Sequence, residues 1–222
     1  MGSILVEVVG MDLYRPSRGD GMTLQQVTDA GLYTDRQKYL TALVADSFAR
    51  FEASSNSWNV RDDHMFRVLE YLFMTNDCQC FVMAHNSHCL DYRATDHNAR
   101  GELSVGQLCR ENFDAYIVAQ STYAGTVRAA AEWGGPDREW ELERPASSSL
   151  SHVLHAVELK AFVLDLDGEL EVRRLFNVPH SSRAIGVVYQ KGREGLSHYF
   201  EAVHSLACHS IIHIDTTTAL RV

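Results

Sequence analysis

The hydrophobic period of this chain changes once, near Lys160, and that change constrains the fold more than any single motif. Before it, apolar residues recur at helical spacing. Leu40, Leu43, Val44, Phe48 and Phe51 follow Asp35, a natural N-cap, and Ser54-Ser55-Asn56-Ser57 ends the run. Met65, Val68, Leu69, Leu72 and Phe73 make a second amphipathic helix, closing near Thr75-Asn76. Phe81-Val82-Met83-Ala84 reads as the start of a buried helix directly after Cys80. Ser104 caps a helix carrying Leu108, Phe113, Ile117 and Val118, and a short helix covers 126–132 until Trp133-Gly134-Gly135-Pro136 breaks it. Leu150, Val153, Leu154 and Val157 give one more helical stripe.

After Lys160 the period is two. Residues 160–166 form a strand, Asp167-Gly168 is a hairpin signal, and 169–175 alternate as the return strand. Two further strands, 184–190 and 197–203, flank a turn, and Ser210 to Ile214 is the last. Ile4 to Val9 is a short β-rich run at the start. Helices first and a mostly antiparallel sheet second is an α+β pattern.

A chain of 222 residues, 45% hydrophobic and 22% charged, buries its own core without a disulfide or metal staple. Its net charge of -9 argues against nucleic acid, whose phosphates want a basic stripe. No apolar run approaches the roughly 18 residues of a membrane span. The start carries no basic region followed by an apolar one, so no signal peptide is expected. The five cysteines are an odd count and four crowd between Cys78 and Cys109, which is not a secreted disulfide framework. An intracellular, reducing compartment is the expectation.

A thiol attacks as thiolate, so a nucleophilic cysteine needs a base or positive charge nearby. Cys80 sits at an expected loop-to-helix junction, where a helix N-terminus favours the thiolate and loop N–H groups hold an oxyanion. His198 is the candidate base late in the chain, and His213, in His213-Ile214-Asp215, is the rival. Cys78, Cys80, His85, His88, Cys89 and His97 are all zinc-ligand types, but they lack the two separated pairs of a structural zinc site. Zinc there would consume Cys80, so no metal or cofactor is expected.

Several short motifs stand in a definite order. Asp77-Cys78-Gln79-Cys80-Phe81 is followed by Ala84, then Leu108-Cys109-Arg110 with Tyr116-Ile117, then Trp133-Gly134-Gly135. An apolar strand at 161–166 and His198-Tyr199 after Ile185 to Tyr189 complete the series. In these motifs the chain resembles the ovarian-tumour (OTU) family of cysteine proteases, many of them deubiquitinases. The resemblance implies an OTU-like catalytic domain over 61–222, with 1–60 an N-terminal extension packed on it. It implies Cys80 as nucleophile, His198 as base and Asp77 as the orienting group, with Cys78 and Gln79 in the oxyanion loop. Glu201, or His213 with Asp215, are alternatives for orienting group or base. The partner would be ubiquitin or a ubiquitin-like protein, met by a monomer. The divergence points to a viral or bacterial effector member, acting in host cytoplasm; a viral one would also process its own polyprotein. Two departures count against activity. Cys78 replaces the loop glycine, and Phe200 stands where a polar residue would orient the imidazole. They keep open an inactive ubiquitin-binding module, with a zinc-stabilised interaction module as the third reading.

Overall fold

The computed structural model describes residues 9–13, 22–76 and 79–221. Two compact units divide the chain, Met1–Val82 and Met83–Val222. The boundary expected near residue 60 falls inside a helix. The β-rich run from Ile4 lies, apart from Val9, outside the described residues.

The described part of the first unit is helical. α1 (Leu24–Asp29) opens on a capping box between Thr23 and Gln26. α2 (Arg36–Ala53) starts at Asp35, whose carboxylate accepts from the Lys38 N–H, and α3 (Ser57–Thr75) starts at Asn56 in the same way through Asn59. Leu43 and Val44 of α2 and Met65, Val68 and Leu69 of α3 are buried as their spacing requires. The buried His64 Nδ1 lies 3.0 Å from Ser47 Oγ, which satisfies both groups.

The second unit begins with α4 (Asn86–Cys89), two 3-10 turns at Tyr92–Ala94 and Asp96–Arg100, and α5 (Val105–Asn112), capped by Ser104. Then come β1 (Val118–Ala130), β2 (Asp137–Glu141), α6 (Leu150–His155), β3 (Ala161–Asp165) and α7 (Leu170–Leu175). β4 (His180–Arg183), α8 (Glu194–Ser197), β5 (Tyr199–Ala202), α9 (His204–Ala207) and β6 (Ser210–Thr217) complete it. The main sheet runs β2-β1-β6-β3, with β4 and β5 as a separate antiparallel pair. β1 pairs parallel with β6, while β1–β2 and β3–β6 are antiparallel, so the sheet is mixed and the class is α+β. One sheet face packs Ala119 and Ile211 against Leu150, Leu154, Phe176 and Phe200.

β1 is long because it serves two partners in turn. Val118 to Gly125 follow β6, and Thr126 to Ala130 follow β2. Gly125 has φ 119°, and a Cβ there would lie 1.9 Å from the Thr217 carbonyl oxygen. Only glycine fits where the strand changes partner.

Several local expectations are corrected. No helix follows Cys80: 79–85 is irregular, and Phe81 and Met83 are 88% and 78% exposed. The helix expected over 126–132 is the second half of β1, because pairing with β2 outweighs the helical preference of Ala129-Ala130-Ala131. Val118 likewise belongs to β1, not to α5. Asp167-Gly168 does turn the chain, with Asp165 Oδ1 accepting from the Asp167 N–H at 2.9 Å, but α7 follows instead of a return strand. The partner of β5 is His180–Arg183, not 184–190.

Candidate active site

Along Val118 to Gly125 the outer edge of β1 has no strand partner among the described residues. Two side chains satisfy it instead. Asn86 Nδ2 donates to the Gln120 carbonyl at 2.6 Å, and Asn86 Oδ1 accepts from the Gln120 N–H at 3.0 Å. Arg183 Nη1 donates to the Thr122 and Tyr123 carbonyls at 3.1 and 3.0 Å. An edge closed in this way resists pairing with another chain. It also leaves a cleft of about 230 Å³, walled by His85 and Asn86, by Gln120 to Thr122, and by Ser151, Ser182, Arg183 and Ile185.

Arg183 is fixed from behind. Its Nε donates to Glu194 Oε1 at 2.7 Å, with the two side chains 7% and 2% exposed. The same carboxylate accepts from Tyr189 and Tyr199 hydroxyls at 2.6 and 3.2 Å and from the Glu143 N–H at 3.0 Å. Burial and this carboxylate push the Tyr189 phenol up; burial first, then Glu194, pushes Tyr199 up to about 12.

His85 is held as a neutral ring. As N-cap of α4 its Nδ1 accepts from the Ser87 N–H at 3.2 Å, which leaves the proton on Nε2. Burial, then the charge of His88, lowers its pKa below the usual 6.5; a hydrogen bond to the Ile185 backbone opposes them. The cleft wall therefore carries an uncharged imidazole.

Further along the cleft wall, Ser121 and His213 are register partners across the β1–β6 pair. Ser121 Oγ lies 3.3 Å from His213 Nδ1, and His213 Nε2 lies 3.5 Å from Asp215 Oδ1. His155 Nδ1, from α6, reaches that same oxygen at 2.6 Å, and its ring stacks on Tyr123 at 3.7 Å and 2°. Burial lowers the His213 pKa, against Asp215, which raises it. His213 and Asp215, expected as alternatives, are thus brought together; Glu201 stands apart, exposed on β5.

The other expected site residues fall as follows. Asp77 and Cys78 lie outside the described residues. Gln79 and Cys80 are exposed in the irregular stretch before α4 and belong to the first unit. His198 belongs to the second unit, at the C-terminal end of α8 rather than on a strand. Its Nε2 accepts from the Gln190 N–H at 3.0 Å, and burial lowers its pKa. Trp133-Gly134-Gly135 precedes no helix; it forms the tip of the β1–β2 hairpin. No three His, Cys, Asp or Glu side chains among the described residues converge to hold a metal ion. Asn86, Ser121 and Arg183 carried no sequence motif, and His85 stood out only as a metal-ligand type. The usable signal was the abrupt polar turn His85-Asn86-Ser87-His88 after four apolar residues.

Similar chains agree with this fold. A crystal structure titled as a succinoglycan biosynthesis protein matches with a TM-score of 0.70 at 18% identity, over 86% of this chain and 48% of that one. A Bacillus cereus protein matches at 0.69 and 14% identity, over 82% and 45%. A histidine-to-asparagine mutant of the erythromycin esterase EreC, in its open conformation, matches at 0.51 and 16%, over 87% and 52%. The chain spans about half the length of these solved structures. The model of the erythromycin esterase family matches residues 25–217. These matches overturn the ovarian-tumour resemblance and what hung on it: the OTU-like fold, the cysteine protease or deubiquitinase activity, and the viral polyprotein role. The ubiquitin or ubiquitin-like partner falls as well, and with it the inactive ubiquitin-binding and zinc-module alternatives. The motif order had matched, but the elements beneath it differ, with no helix after Cys80 and a hairpin at Trp133. With a family match across most of its length, the chain belongs to the erythromycin esterase family.

Proposed function

We propose that the second unit carries the cleft of a hydrolase that cleaves an ester of a small molecule. Family membership supports the reaction class. The observation that carries the reading is the neutral His85, its proton on Nε2, lining the same cleft as the hydroxyl-bearing edge of β1. Ester hydrolysis passes through a tetrahedral intermediate with charge on the former carbonyl oxygen. An uncharged imidazole on the cleft wall stabilises that charge once its N–H turns from the Ile185 backbone to the substrate. Asn86 and Arg183 are positioning residues here: their polar groups are spent on the β1 backbone and on Glu194.

The test is release of p-nitrophenol from short acyl esters, alongside mass spectrometry of erythromycin for addition of water. His85→Ala should lower kcat by about 10²–10³-fold with little change in KM. Neutral His85 is the active form and its pKa lies below 6.5, so kcat should stay level down to that pH and fall only below it. A folded protein inert toward both kinds of ester ends this reading.

A further inference from the structure

We propose that β3 pairs edge to edge with β3 of a second copy of this chain, antiparallel and centred on Val163, so that two main sheets join into one. β3 ends the sheet order and pairs with β6 alone among the described residues. The Lys160 carbonyl accepts from the Asp215 N–H at 2.9 Å, and the His209 carbonyl accepts from the Leu166 N–H at 2.9 Å. Bonded residues alternate along an antiparallel pair, so 160, 162, 164 and 166 bond toward β6. The N–H and C=O groups of Ala161, Val163 and Asp165 therefore face the open side, with no strand across from them among the described residues.

The other free edges of this sheet are guarded. Asn86 and Arg183 close the edge of β1. β2 carries Asp137, Arg138, Glu139 and Glu141, all exposed, and charge along an edge deters pairing. β3 has neither device. Between Lys160 and Asp165 it reads Ala-Phe-Val-Leu, and its register with β6 runs without a bulge. Phe162 and Leu164 pack on the core, while Val163 is 67% exposed. Val163 and Ala161 share their face with Ile212 and Ile214, which are also exposed, and exposed Val157, Leu159 and Leu170 flank the strand in sequence. An open, apolar edge of this kind is a template for another strand.

The strand is complementary to itself. Centred on Val163, antiparallel pairing sets Val163 opposite the partner's Val163 and Ala161 opposite the partner's Asp165. All of these are outward-bonding positions, so each pair exchanges both of its backbone hydrogen bonds. A slip of one residue would set outward-bonding residues against inward-bonding ones and lose those bonds. The ends match in charge as well. Lys160 falls between the partner's Asp165 and the partner's Asp167, whereas a parallel match would set lysine beside lysine and aspartate beside aspartate. The contact is the same patch on both copies, so it closes at two. No β3 residue lines the cleft, and the pairing is therefore independent of the ester-hydrolase reading.

The experiment is sedimentation velocity of the whole chain from about 1 to about 100 µM, in about 0.15 M salt to screen the net charge of -9. The expected result is a species of twice 25.0 kDa that grows with concentration. Val163→Lys sets like charges opposite each other at the centre and should weaken the dimer about tenfold or more, while Val163→Thr should keep it. The Val163 side chain is largely exposed, so circular dichroism should show both variants folded. Val163→Cys, mildly oxidised, should link two copies through position 163, where paired Cα atoms lie about 5.5 Å apart. A monomer across the whole range overturns the proposal. So does a dimer that persists unchanged in Val163→Lys, a link through the exposed Cys80 alone, or an assembly that grows past two.

Discussion

At the scale of single residues, the second unit is marked by polar groups that burial holds in one protonation state. His204 is fully buried, its Nε2 2.7 Å from Ser182 Oγ, and desolvation lowers its pKa to about 3. The unfolded chain takes up this proton near 6.5, the folded chain only near 3. Between those values the unfolded state binds more protons, so stability present above 6.5 is lost as pH falls. By pH 5 the loss from this group should reach about 2 kcal/mol, read as a shift of the urea midpoint between pH 7 and 5. His204→Gln should flatten that slope; an unchanged slope would place the titration elsewhere. Glu194 is the second case. Glu194→Gln leaves the buried Arg183 guanidinium without its counter-charge, while four donors still point at the site. A loss of about 3–5 kcal/mol in denaturant unfolding is expected. A loss under about 1 kcal/mol would mean the pair acts like an exposed surface bridge.

At the scale of elements, close approach and edge closure decide the cleft. α5 packs on α4 so tightly that a Cβ on Gly106 would sit 1.7 Å from the Cys89 carbonyl oxygen. Gly106→Ala should therefore cost about 1–3 kcal/mol and shift α4, whose N-cap is His85. Thermal unfolding reads the first effect. Ester hydrolysis reads the second, as a lower kcat in protein that remains folded. A variant as stable and active as the parent would mean the helices part easily. Asn86 does for β1 what a neighbouring strand would do, pairing with both the N–H and the carbonyl of Gln120. Asn86→Ala should leave those groups to water, and the Gln120 amide should exchange faster with deuterium. Unchanged protection would show that the edge is closed by something else.

For the whole molecule, the division into two units at Val82 and Met83 falls inside an irregular stretch with Phe81 largely exposed. Brief chymotrypsin treatment should cut first at Phe81, giving two fragments by mass. First cleavage inside α2 or α3 would contradict the division. The amino-acid order by itself determined what depends on near neighbours. Asp35, Asn56 and Ser104 announce helix starts because a cap bonds three residues ahead, and Met65 to Phe73 announce α3 because burial follows the helical period. The α+β class was legible for the same reason, from the period change near Lys160. Tertiary structure decided the rest. Ala129 and Ala130 favour a helix locally, and only pairing with β2 makes them a strand. Leu170, Val172 and Leu175 fit either period, and the packing of Val172 and Phe176 against the core selects the helix. The site was hidden because its parts are far apart along the chain. Asn86 meets Gln120, Ser121 meets His213, Arg183 meets Glu194, and His155 meets Asp215. Local spacing carries no trace of such meetings; they exist once the parallel β1–β6 pair closes over the residues between, and that closure depends on the free energy of the whole second unit.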